Sequence, residues 1–191
     1  MRATVLLGMA LGFGAILIAW CARSPRGVAV ESPRAGPPAA VDADLGVLGG
    51  RSLAVPVAGF AAEDLRDSFA EPRSGHTHEA IDILAARGSR VVAADAGTIV
   101  HLVTSGSGGL SIYQLDPTAT YSYYYAHLDA YAPRLREGQS VRRGDTLGYV
   151  GSTGNATQSA PHLHFAVSRL GPDRRWGGGT PLNPYRIWVR R

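Results

Sequence analysis

The chain contains no lysine: all 19 basic residues are arginine, set against 15 acidic ones for a formal net charge of +4. A charge that small is compatible with an anionic partner such as cell wall, nucleic acid or membrane surface, and selects none of them. There is one cysteine, Cys21, which excludes a disulfide framework and any cysteine-built structural zinc site. Charged residues are few, 18% against 45% hydrophobic, and this excludes a polyelectrolyte or a wholly disordered chain. What is abundant is turn chemistry. The 24 glycines and 12 prolines argue against a helical bundle, and 191 residues suit one domain with some chain to spare.

The spare chain lies at the front. From Ala3 to Ala22 no residue is charged, and Arg23 and Arg26 follow. At about 1.5 Å per residue this run is just long enough to span a bilayer as a helix, and it equally fits a cleaved secretory signal. Ile18-Ala19-Trp20-Cys21 loosely resembles a lipoprotein signal, although Trp20 stands where a small residue is wanted. The run has no polar face, which argues against a buried core helix. The expectation is export to the periplasm or cell envelope, with residues 1–22 retained as an inner-membrane anchor, cleaved, or lipidated at Cys21. Residues 23–50 hold four prolines and no aromatic residue, and show no sustained period of 2 or 3.6. They read as a linker, with short-range docking onto the following domain left open.

Residues 51–191 read as an all-β domain, an antiparallel sheet or barrel-like sandwich with an open groove. Strand-like runs cover 52–57, 90–94, 97–104, 110–115, 121–128, 146–150 and 162–168, separated by breaks such as Ser105-Gly106-Ser107-Gly108-Gly109. Only Ala61 to Ser68 offers a weak helical turn.

Four of the six histidines sit in informative places. In His162-Leu163-His164-Phe165-Ala166-Val167, alternation sends Leu163, Phe165 and Val167 to the core and leaves both imidazoles on one exposed face. Two surface histidines would do this, and so would a metal site, which keeps its imidazoles neutral. His78-Glu79-Ala80-Ile81-Asp82 is not the helical H-E-x-x-H motif, because its fifth residue is Asp and a strand begins there. A loop His and an Asp opening a strand can still converge on one ion. With His164 they would supply two nitrogens and one oxygen, leaving a fourth position for water. In Tyr121-Ser122-Tyr123-Tyr124-Tyr125-Ala126-His127-Leu128, alternation puts His127 on the face of Tyr123 and Tyr125. His76 reads as a rim residue and His101 as a solvent-facing strand residue.

These elements, in this order, resemble the lysostaphin-type (LytM, M23) zinc metallopeptidases. The resemblance rests on His78-x-x-x-Asp82, Tyr125-Ala126-His127-Leu128 and His162-Leu163-His164-Phe165. Between the last two, the segment from Val141 to Asn155 is also similar to the family. Carried over residue by residue, it implies His78, Asp82 and His164 as ligands of Zn2+. It implies His127 and His162 as the pair that lines the groove and handles protons. The family often has Gly at the position of Ala80 and an acidic residue at that of Ala166. The resemblance further implies an endopeptidase acting on peptide stems or cross-links of peptidoglycan. A silent wall-binding or amidase-activating module of the same fold would have lost a ligand, and all five positions are intact. A peptidase of secreted proteins is a further alternative. A nucleic-acid module is not expected, since the arginines are scattered and only Tyr121 to Tyr125 would offer stacking.

Overall fold

A computed structural model describes residues 37–189. The signal or anchor expected over residues 1–22 lies outside the described residues. No helix among the described residues is long and apolar enough to cross a membrane. In chain order the elements are α1 (Pro38–Gly50), β1 (Pro72–Arg73), β2 (His76–Thr77), β3 (Ile81–Leu84), β4 (Arg90–Val92), β5 (Gly97–Ser105) and β6 (Gly109–Leu115). There follow β7 (Tyr121–Tyr131), β8 (Ser140–Val141), β9 (Thr146–Val150), β10 (His162–Arg169), β11 (Thr180–Leu182) and α2 (Tyr185–Trp188). Every pairing is antiparallel, and nine of the strands join one sheet, with β1 and β2 forming a separate hairpin. The fold is all-β, as its alternating short runs imply.

Two strands organise the sheet. On one side of β10 lies β7; on the other, β3 pairs with its first half and β11 with its last residues. β7 itself pairs with β6 on one side, and on the other changes partner part-way along. Tyr121 to Ala126 run beside β10, whereas Leu128 to Tyr131 run beside β9. The sheet therefore forks at His127. Burial follows the strand period: Leu163, Phe165 and Val167 are fully buried, as are Tyr123, Tyr125, Ile112 and Ile81 beside them. Burying a large apolar side chain contributes about 1.5–3 kcal/mol, so this shared layer carries much of the stability. The buried hydroxyls are satisfied, Tyr125 donating to Gln114 Oε1 at 2.8 Å and Tyr123 to Asp95 Oδ2 at 3.0 Å.

Two expectations need correction. The segment 52–57 is not a strand. It runs alongside β4 through hydrogen bonds such as Ala54 N–H to Ala94 O at 2.8 Å, but Pro56 has no N–H to sustain a ladder. The stretch 23–50 is not linker throughout, because residues 38–50 form α1 and bury Asp44, Leu45 and Leu48. Pro38 opens this helix at a position where its missing N–H costs nothing. Asp44 accepts hydrogen bonds from Tyr121 Oη at 2.9 Å and from Arg169 at 2.7 Å, joining α1 to β7 and β10. The weak turn after Ala61 is a single 3₁₀ turn, Ala62–Asp64.

Candidate metal centre

His164 and Asp82 are direct register partners across β10 and β3, which brings two segments distant in sequence side by side. His78 enters from the loop that precedes β3. Three donor atoms result: His78 Nε2 lies 3.0 Å from His164 Nδ1 and 3.1 Å from Asp82 Oδ1, and the last two are 3.2 Å apart. A tetrahedral ion with bonds of about 2.0–2.1 Å has face edges of about 3.3 Å, so this triangle fits such an ion with a few tenths of an ångström of adjustment. The triangle lines an open cleft of about 510 Å³.

The hydrogen bonds around the triangle fix what each ring offers. His78 Nδ1 sits 3.0 Å from Ser68 O, and a carbonyl oxygen can only accept, so the proton is on Nδ1 and Nε2 presents a lone pair. The Ser68 hydroxyl meanwhile accepts from Asp82 N–H at 3.1 Å, so one buried serine orients two of the three donors. Burial alone would raise the Asp82 pKa. The neighbouring His164 and His78 imidazoles override it and hold the carboxyl well below the usual carboxylate range. Its second oxygen, Oδ2, accepts from Arg73 at 2.7 Å. Burial also lowers the His164 pKa, against the pull of Asp82. Asp82 thus favours its ionised form and His164 its neutral form, the states a cation needs.

His127 and His162 stand beside the triangle, 5.0 Å apart between ring centroids, and both line the cleft. His127 Nδ1–H donates to Thr153 O at 2.9 Å and His162 Nδ1–H to Ala160 O at 2.9 Å, leaving Nε2 of each as an acceptor. Burial, reinforced by the neighbouring His164 and His162, pushes the His127 pKa down to about 4 although the Thr153 carbonyl opposes it. Alternation had put His127 with Tyr123 and Tyr125, and here the structure differs. Those tyrosines point into the core, while His127 turns outward because its φ of 61° breaks the strand period. His127 N–H donates to Gly108 O at 2.8 Å, and Thr153 Oγ1 bridges Leu128 O and Leu110 N–H at 2.7 and 3.0 Å.

His76 is exposed on β2 at the cleft margin, as its rim assignment implies. His101 is less free than a solvent-facing residue: its ring lies 3.2 Å from Glu137 and packs on Trp176. Sequence reasoning missed Ser68, Arg73 and Thr153. A polar residue in a loop, as Ser68 and Thr153 are, or in a two-residue strand, as Arg73 is, carries no period, and only the donor geometry makes these three visible.

With the geometry in place, comparison with known proteins is direct. The profile of "Peptidase family M23" matches residues 76–184, more than half of the chain. The chain is 32% identical over 121 residues to the L-Ala–D-Glu endopeptidase of Bacillus subtilis, covering 59% of this chain and 36% of that protein. It is 34% identical over 93 residues to lysostaphin of Staphylococcus simulans, covering 48% and 18% respectively. The chain thus spans about a third or less of these curated relatives. Among solved structures, Helicobacter pylori Csd3 superposes with a TM-score of 0.53 at 28% identity, over 69% of this chain and 32% of that one. The family match takes in His78, Asp82, His127, His162 and His164, and the chain belongs to peptidase family M23.

Proposed function

We propose that the protein is a zinc-dependent endopeptidase that hydrolyses stem peptides or peptide cross-links of bacterial peptidoglycan outside the cytoplasm. The observation that carries this reading is the donor triangle of His78, Asp82 and His164 at the base of an open cleft, with two further histidines presenting Nε2 beside it. Two neutral imidazole nitrogens and one carboxylate oxygen, with a position left open, are the donor set of a catalytic rather than a structural zinc site. Zinc bound there supplies Lewis acidity, bringing the pKa of water toward neutrality and polarising a scissile carbonyl.

The remaining steps belong to side chains. His127 or His162 takes a proton from the attacking water on Nε2 and returns it to the leaving amine. The carbonyls of Thr153 and Ala160 hold the two rings in the tautomer that this transfer requires, and stabilise each imidazolium once formed. Arg73 on Asp82 Oδ2 keeps that carboxylate oriented so that Oδ1 faces His78 and His164. The substrate class follows from the relatives, two of which are named as an L-Ala–D-Glu endopeptidase and lysostaphin. The uncharged run from Ala3 to Ala22 would deliver the domain to that substrate, as a membrane anchor or an export signal.

Purified sacculi incubated with the protein should release soluble peptide fragments whose masses identify the bond cut. Release should stop with a chelator and resume with added zinc. Release that is indifferent to chelation would overturn the reading.

A further inference from the structure

A second pocket of about 200 Å³ adjoins the cleft, and the two share His78 and Tyr124. It continues along the same face of the sheet. Beyond His164 the outward positions of β10 are Ala166 and Ser168, paired with Tyr124 and Ser122 on β7. Three of these four are small, which leaves room above the strands. The walls are aromatic: Tyr113 lies 4.4 Å from Tyr124 between ring centroids, and Trp176 stands edge-on to Tyr113 at 4.5 Å. Trp176 is 37% exposed, yet it is held in position, since Ser122 Oγ–H donates to its carbonyl at 3.0 Å and His101 packs on its ring at 4.3 Å.

Among the residues lining this pocket there is one carboxylate and no Arg, and the carboxylate is Glu79. Its backbone has φ 56°, a left-handed conformation that a glutamate adopts only under constraint, and its N–H is tied to Phe69 O at 2.9 Å. The nearby arginines are committed elsewhere, Arg66 to Glu71 and Arg73 to Asp82. A carboxylate in a pocket otherwise walled by aromatic side chains attracts a cation, through a charge-assisted hydrogen bond and through any ring quadrupole within reach. A sugar hydroxyl could also donate to Glu79, but it would gain nothing from the carboxylate's full charge, and an anion would be repelled.

Resting on the peptidase reading above, we infer that this pocket is a substrate subsite for a residue bearing a primary ammonium group, adjacent to the bond that is cut. The test uses the full-length protein and one muropeptide in two forms, its diamino-acid side chain carrying either a free or an acetylated amine. Binding is followed calorimetrically on metal-stripped protein, and turnover with zinc restored. The free-amine form should bind about tenfold more tightly, the scale of one such cation contact. Its advantage in turnover should lie in KM rather than kcat. Glu79→Gln should abolish the difference and Glu79→Asp keep part of it. Trp176→Ala, which removes one of the aromatic walls, should weaken the same preference. Equal binding of the two forms, or a preference that survives Glu79→Gln, overturns the subsite. Absence of turnover on both forms with the binding preference intact overturns the peptidase reading and leaves the subsite standing.

Discussion

Asp82 uses its two oxygens differently: Oδ1 faces two imidazoles, and Oδ2 takes the Arg73 guanidinium. Removing the carboxylate therefore removes a donor and leaves a cation facing the site. Asp82→Ala should lower zinc affinity by more than about 100-fold, beyond what loss of an outer partner usually costs, as equilibrium dialysis would measure. His127→Ala and His162→Ala should behave oppositely, retaining zinc while turnover on muropeptide falls by roughly 10² to 10⁴. Loss of zinc from either variant would reassign that histidine as a ligand. His127 also has a consequence for folding. Its pKa falls from 6.5 to about 4 on folding, so as the pH drops the unfolded chain takes up the proton first. The associated stability is complete above pH 6.5 and is lost between there and about pH 4; buried His164 acts in the same direction. The Tm of metal-free protein should fall through this window, and His127→Gln should flatten the fall.

At the scale of elements, what could be read from the sequence depends on how local the cause is. β10 was legible because its side chains alternate without interruption, and both histidines are where that period puts them. β7 was legible as a strand but not in its direction at His127, since the kink is imposed by Gly108 and Thr153 from other parts of the chain. α1 was hidden for another reason. Its buried Leu45 and Leu48 sit among Ala, Val and Gly, and of its two polar residues Asp44 is buried with them, so no polar face frames the stripe that a periodicity search needs. The loop after β9 invites a direct test of the kink. A Cβ on Gly151 would lie 2.4 Å from Asp129 N and 2.8 Å from His127 O, both backbone atoms that cannot swing aside. Gly151→Ala should shift this loop against the kink at His127, lowering kcat while leaving zinc stoichiometry unchanged by metal analysis.

Across the whole molecule, α1 behaves as part of the domain. Leu45 and Leu48 are fully buried, and Arg186 pairs with Asp42 at 2.8 Å to bind the helix to α2. Leu45→Ala or Leu48→Ala should each cost about 2–5 kcal/mol, measured by denaturant unfolding, as for any large side chain removed from a packed core. A true linker would show almost no change. The pairing of β3 with β10 has a temporal meaning as well. His78 and His164 are 86 positions apart in the chain, so their approach closes a long loop that forms slowly during folding. While β10 is still emerging or unpaired, the chain offers scattered histidines and no triangle. On the proposed reading, capture of zinc at this site would record that the longest-range strand pairing among the described residues has been completed, and a chain exported unfolded would cross the membrane without its metal.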